Sequence, residues 1–461
     1  MKILHYTVGF SKNRGGGLTK YVDDLVAYQS RNNSIIILYP GEYSLINENV
    51  SIKKEKSENN ISIYSIVNPL SLPMMFGLKD KNYLTKKTPR SIWKYFLKRN
   101  KVDCIHLHTL MGLYEEFIDA AKELNIPIVY TTHDYFGLCP KQTYIYNNKI
   151  CDNWSSCIDC SDCNKHAFSK IKIFLIHSRI FCKLRKNTLF LKMKSWAKSK
   201  IEQGGSKKNV NSKDDILFYR ELKNKYINIF TKIDWFHFNS SISEFVFKRE
   251  LPFIKGSVIN ISHKDIKDHR IEKDFNSEKL RITYLGPATS TKGFDFLIQS
   301  LDKIYLNNHE FILNIYTHTM IKRDYFKKNG YRYNYSQLSE IMKETDILIA
   351  PSIWYETFGF TVLEALSYGV PVVVSDCLGA KDLVRDGENG YVINKKNIES
   401  ILLNIIVNKD ILKKMNHNIC VDSFMTFEQQ CHEICLIYQD VCKKKREHND
   451  TQNVDRRNEG I

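Results

Sequence analysis

Apolar residues along the chain fall into short unbroken runs and into longer stretches that repeat every three to four positions, with Gly, Ser and Asn between them. Short runs suit strands buried on both faces, and the longer rhythm suits helices with one face inward. The first half predicts a strand over Met1–Phe10, a loop over Ser11–Gly17, a helix over Leu18–Tyr28 and a strand over Ile35–Leu38. Helix Ile92–Arg99, strand Cys104–Leu107, helix Leu113–Leu124 and strand Ile128–Thr131 follow. Helix Ile216–Phe230 and strands Ile233–Phe238 and Ser257–Ile261 come next, with Ser240 or Ser241 placed to cap a helix between the last two. The polar stretch Ser262–Glu278 reads as a linker, after which the same grammar restarts: strand Leu280–Leu285, loop Gly286–Thr291, helix Phe294–Leu301, strands Phe311–Tyr316 and Asp346–Ala350. Strand Tyr391–Ile393 and helices Ile398–Met415 and Phe427–Cys442 close the pattern, and the charged tail 443–461 is expected to be disordered. The alternation predicts an α/β chain of two Rossmann-like domains, residues 1–262 with an insertion at 139–215 and residues 279–425, followed by a crossover helix at 426–442.

Chemistry concentrates in Pro351–Ser375, PSIWYETFGFTVLEALSYGVPVVVS. Thr357 or Gly359 caps a helix whose apolar positions are Val362, Leu363, Ala365 and Leu366; Gly369 and Pro371 end it, and Val372–Val374 is a buried strand. Glu356 therefore lies in the loop before the helix and Glu364 inside it. Free N–H groups at a helix start favour phosphate, and a carboxylate there must face hydroxyl groups instead. Phosphate on the amides with hydroxyls on two glutamates describes a nucleotide sugar. Acids also favour first turns for purely local reasons, so the spacing alone is a weak signal. Lys292, at the start of a helix after a strand, is placed to meet a phosphate. Near the N-terminus, Arg14-Gly15-Gly16-Gly17 lets a ligand approach the backbone, although it is not GxGxxG and no acid follows the second strand as a dinucleotide site needs. His133-Asp134 sits at the C-terminal edge of its strand, where open α/β sheets hold ligands.

The run from Pro351-Ser352 through Trp354, Glu356, Phe358-Gly359, Glu364-Ala365 and Gly369-Val370-Pro371 resembles the donor-binding signature of the retaining glycosyltransferases of family 4. The resemblance implies the GT-B architecture, with the last long helix crossing back to the N-terminal domain. It implies Glu356 on sugar hydroxyls, Glu364 on ribose hydroxyls and His133 beside the donor sugar. Lys292, Thr357, Phe358 and Gly359 would surround the diphosphate, and the loop with Gly16 and Gly17 would face the donor phosphate and the acceptor. No cofactor is required for that chemistry. The family usually carries Gly-Arg where this chain has Gly286-Pro287, which leaves the diphosphate to Lys292 alone or to another cation that substitutes for the arginine. The implied reaction moves a sugar from a UDP- or GDP-sugar to a hydroxyl of a polyprenyl-diphosphate-linked oligosaccharide, with retention. A glycoside hydrolase and an inert glycan- or nucleic-acid-binding protein are the other classes weighed.

At 461 residues the chain is long enough for two cores. Its net charge of +17 is concentrated between Lys165 and Lys200, which holds eleven Lys/Arg and no Asp or Glu, interleaved with Phe, Ile and Leu. Such a segment suits an anionic membrane surface, a solvated helical face being the alternative; no nucleic-acid motif accompanies it. No stretch reaches the roughly 20 apolar residues that cross a bilayer. The expected location is cytoplasmic, peripheral on the inner face of the plasma membrane. Five cysteines crowd between 139 and 163, and Cys151, Cys157, Cys160 and Cys163 fit four thiolates around a structural zinc. Together with His133-Asp134, this cysteine pattern resembles a branch of family 4 acting in bacterial surface-polysaccharide assembly.

Overall fold

A computed structural model describes residues 1–12, 16–44, 47–73, 77–151, 157–169, 173, 213–330 and 333–458. Most of the cationic stretch 165–200 lies outside the described residues, so the expected membrane face does too. No described helix is long and apolar enough to cross a membrane.

The N-terminal domain carries strands β1 (Lys2–Tyr6), β2 (Ser34–Pro40), β3 (Ser51–Glu58), β4 (Ile61–Val67), β5 (Cys104–Leu107), β6 (Ile128–Thr131), the small hairpin β7 (Ile145–Tyr146) and β8 (Lys149–Ile150), then β9 (Trp235–Phe238) and β10 (Gly256–Val258). Its eight-stranded sheet runs β10-β9-β6-β5-β1-β2-β4-β3. Every pairing in it is parallel except β3 with β4. The apolar runs foresaw the central strands because those strands are buried on both faces. Strand β3, SIKKEKSE, was not foreseen: it is a mostly exposed edge whose lysines and glutamates face solvent, so it carries no apolar signal.

The second domain holds β11 (Leu280–Tyr284), β12 (Phe311–Ile315), β13 (Phe326–Lys328), β14 (Ile347–Ala350), β15 (Val372–Ser375) and β16 (Gly390–Ile393), in the all-parallel order β13-β12-β11-β14-β15-β16. Two parallel sheets covered by helices make the α/β architecture expected, and the fold is GT-B. The helix expected over Ile398–Met415 is two, Ile398–Val407 and Asp410–Val421, broken at Asn408, where the chain turns outward with φ −124° and ψ 84°.

One hydrophobic cluster spans both domains, joining Val22 and Leu25 to Val362, Leu366, Phe427 and Tyr438. The helix from Phe427 supplies the last of these and lies on the first domain. Gln430 donates to the Tyr21 hydroxyl at 3.0 Å, Gln29 to the Tyr438 hydroxyl at 3.3 Å, and the Tyr438 hydroxyl meets His106 Nδ1 at 2.6 Å. This helix continues to Asn458, through the segment expected to be disordered. Just past Cys442, Lys444 pairs with Asp440 one turn back and Lys445 pairs with Asp234 on the N-terminal domain.

Candidate active site

Strand β14 delivers the loop Pro351–Gly359 to the top of the second sheet. The Glu356 amide donates to the Cys377 carbonyl at 3.0 Å, and the Gly379 and Ala380 amides donate to the Glu356 and Phe358 carbonyls at 2.8 and 3.0 Å. The loop is thus laced to the turn after β15. Gly359 then turns at φ 123°, where a Cβ would stand 2.8 Å from Leu378 Cδ1. Only glycine fits that junction. The helix it starts, Phe360–Leu366, buries Val362, Ala365 and Leu366 and is only seven residues long, so its dipole is small. Glu356 pairs with the ammonium of Lys292, which also lies 5.6 Å from the Trp354 ring centroid. Lys292 was expected on a diphosphate; here Glu356 neutralises it. Both line a cavity of about 220 Å³ together with Gly286, Pro287, Gly359 and Thr361. Among its described lining residues Lys292 is the only cation.

Glu364 does not line that cavity. It is 4% exposed, its Oε1 accepts from the Tyr335 hydroxyl at 2.6 Å, and that hydroxyl lies 2.8 Å from His263 Nε2. Its Oε2 is buried and has no hydrogen-bond partner among the described residues. Burial and the neighbouring carboxylate push the Tyr335 hydroxyl pKa up. That keeps the hydroxyl protonated and donating. Sequence alone located Glu364 but not Tyr335 or His263, which come from other segments.

The first domain meets this loop directly. Thr357 Oγ1 donates to the His133 carbonyl at 3.0 Å, and Ser240, which caps the helix Ser241–Glu250, donates to the Thr357 carbonyl at 2.7 Å. A Cβ on Gly17 would stand 2.9 Å from the Phe360 ring, whereas one on Gly16 would meet nothing within 4 Å among the described residues. His133, Gly16, Gly17, Glu356, Thr357 and Gly359 therefore converge on one interdomain cleft. Phe358 contributes its backbone only, since its ring is in the core.

Behind His133 runs a chain of buried histidines that sequence reading missed. His133 Nε2 lies 3.3 Å from His108 Nδ1, and His108 Nε2 lies 3.0 Å from His5 Nδ1. His106 Nε2 and His237 Nδ1 share the Thr131 hydroxyl at 2.6 and 2.8 Å. Burial lowers all five imidazole pKa values, His133 to about 3 and His5 and His237 to about 4. The rings are neutral near pH 7. His133 is a hydrogen-bonding group there, not a proton donor from imidazolium. Asp134 beside it is raised by burial to about 6, with bonds from the Phe136 amide and Thr109 opposing. The spacing His106-x-His108 was a readable hint: His106 lies in β5 and His108 one residue past its end, with the two ring centroids 4.0 Å apart. His5 and His237 gave no such hint; sheet order brings them there.

Residues 15–156 match the family described as Glycosyltransferase Family 4, and residues 265–408 match Glycosyl transferases group 1. Both halves of the chain thus match glycosyltransferase models, and the chain is a glycosyltransferase of that type. A glycosyltransferase of Methanocaldococcus jannaschii is 30% identical over 155 residues, 31% of this chain and 39% of that one. An Escherichia coli UDP-Gal:alpha-D-GlcNAc-diphosphoundecaprenol alpha-1,3-galactosyltransferase is 33% identical over 67 residues, 14% of this chain and 17% of that one. Both matches span well under two thirds of the relative's own length. Among solved structures, sucrose-phosphate synthase of Thermosynechococcus elongatus superposes with a TM-score of 0.56 at 12% identity, over 95% of this chain and 98% of that one. HepE of Anabaena, in complex with UDP and glucose, gives 0.53 at 13% identity over 95% and 99%. These two likenesses concern the fold.

In the transferase, the cysteine-rich loop follows directly on His133-Asp134. Cys139, Cys151, Cys157 and Cys160 line a second cavity, of about 40 Å³, under the helix Lys213–Thr231. Cys163, grouped with them on spacing, lies outside that lining and points its Sγ at the Ile145 carbonyl, 3.6 Å away.

Proposed function

We propose that this transferase moves a hexose from a nucleoside diphosphate to a hydroxyl of a lipid-linked glycan, with retained anomeric configuration. The observation that carries the reading is the junction of Thr357 with the His133 carbonyl, which holds the Glu356–Lys292 pair and His133 on opposite walls of one cleft. A donor diphosphate entering the cleft would take Lys292 from Glu356 and free that carboxylate for sugar hydroxyls. The unpartnered Oε2 of Glu364 suits a ribose hydroxyl, and neutral His133 a sugar hydroxyl. The bond from the anomeric carbon to the diphosphate oxygen breaks, and the acceptor oxygen bonds to that carbon on the same face. The acceptor proton leaves with the diphosphate. Charge on the leaving group is met by positioned groups in a cleft that limits water. The galactosyltransferase relative, whose name carries a diphosphoundecaprenol acceptor, supports the lipid-linked substrate. The basic segment between 165 and 200 supports a cytoplasmic membrane face.

The test is thermal stabilisation by UDP-, GDP- and ADP-sugars, followed by transfer to a short polyprenyl-diphosphate glycan with the product anomer read by NMR. One nucleotide class should raise the melting temperature of wild type and not of Glu364→Ala. Free sugar as the sole product would replace the transferase reading with a hydrolase, and no shift with any donor would replace it with a binding protein.

A further inference from the structure

The cavity under helix Lys213–Thr231 takes no part in the reaction just described. Its lining brings together Cys139, Cys151, Cys157 and Cys160, with the Lys223 side chain at its rim. Two of the thiols touch: Cys157 and Cys160 share a hydrogen bond, and Cys151 and Cys139 lie within electrostatic reach of Cys160. The amides of Lys141, Thr143 and Tyr144, on the turn that follows Cys139, all face its sulfur. Cys157 sits at φ 56°, a left-handed conformation unusual for a residue with a Cβ, and so begins the short helix that carries Cys160.

We propose that Cys139, Cys151, Cys157 and Cys160 bind one zinc ion as a closed, tetrahedral, structural site. Four thiolates around one ion is a common structural zinc set, and a cavity of about 40 Å³ has room for a single ion but not for an iron–sulfur cubane. The thiols ring the space without closing on one point. Among the described residues the tighter groups, with ligand atoms within 4.8 Å of one another, are His5–His106–His108 and Asp24–His263–Asp265. Neither is the better site. Both His106 nitrogens are engaged at 2.6 Å, by Tyr438 and Thr131, and Lys20 bridges Asp24 and Asp265 at 2.6 and 2.7 Å. The set differs from the spacing-based one in exchanging Cys163 for Cys139. That exchange gives the bound ion a purpose: it ties the loop that leaves His133-Asp134 to Cys151, to the turn 157–160 and to the helix over them. The cleft wall on the His133 side is then held from behind.

The experiment is metal analysis of the full chain as purified, with Cys139→Ser, Cys160→Ser and Cys163→Ser alongside. Wild type and Cys163→Ser should each carry about one zinc per chain, and Cys139→Ser and Cys160→Ser should lose it. Because the two metal-losing variants risk misfolding, the wild type is also exchanged with cobalt(II). A tetrahedral thiolate site should show sulfur-to-cobalt charge transfer and intense visible bands. Folded wild type without metal overturns the proposal, as do zinc content that follows Cys163 in place of Cys139, iron with inorganic sulfide, and a cobalt spectrum lacking thiolate bands.

Discussion

Glu356 and Lys292 come from loops 64 positions apart and form the one ion pair lining the cleft cavity. Each has a separate job in the proposed reaction, so removing each should read differently. Lys292→Ala takes a charge-assisted contact from the diphosphate, worth roughly 1.5–3 kcal/mol, and should raise the donor KM by about ten- to a hundredfold. Glu356→Gln keeps the shape and removes the charge; kcat should fall by about a hundredfold with a smaller change in KM. Steady-state kinetics with varied donor separates the two, and identical profiles would sink the division of roles. Gly359→Ala tests the scaffold. The φ of 123° and the 2.8 Å approach to Leu378 predict a loss of about 1–3 kcal/mol, read as a lower urea midpoint.

The C-terminal helix is the element that joins the domains, and Tyr438 is its most connected side chain. Its hydroxyl meets His106 Nδ1 at 2.6 Å and Gln29 Nε2 at 3.3 Å, with all three groups buried. Tyr438→Phe keeps the ring and leaves two buried polar groups short of a partner, at a cost of roughly 1–3 kcal/mol. Lys445→Ala, which removes a partly buried pair with Asp234 but leaves that carboxylate its bond to Lys122, should cost about 1 kcal/mol or less. Equal denaturation midpoints for the two variants would contradict this ranking. The elements legible in the sequence were those buried on both faces: Cys104–Leu107 and Ile128–Thr131 were read residue for residue. Illegible elements drew their stability from elsewhere. Strand β3 rests on its pairing with β4, and the helix just beyond Cys442 carries ion pairs to Asp440 and Asp234. The break at Asn408 passed unseen because the apolar rhythm runs on through Leu412 and Met415. The site divides the same way. Glu356, Glu364 and His133 lie in contiguous motifs, whereas His5 and His237 reach the site only because β1 lies beside β5 and β9 beside β6.

Across the whole molecule, the neutral histidine chain couples stability to pH. An unfolded histidine titrates near 6.5, whereas His5 and His237 are lowered to about 4 and His133 to about 3, with His106 and His108 lowered as well. Between those values the unfolded chain binds protons that the folded chain refuses, so stability rises with pH through the window. It is complete above pH 6.5 and is lost as the pH falls. Each histidine contributes up to about 1.4 kcal/mol per pH unit, and five acting together rival the roughly 5–15 kcal/mol that holds a typical domain folded. Asp134 works in the opposite sense: raised to about 6, it binds a proton in the fold between pH 4 and 6, but it is one group against five. The net expectation is a melting temperature that is flat from pH 7 to 8 and drops steeply between pH 6.5 and 5. General repulsion from the +17 charge would also destabilise in acid, so the deciding comparison is His108→Gln. That variant removes one titrating ring and should flatten the slope by about one proton, even though its stability at pH 7.5 is lower. An unchanged slope would assign the acid sensitivity to surface charge and release the histidine chain from this role.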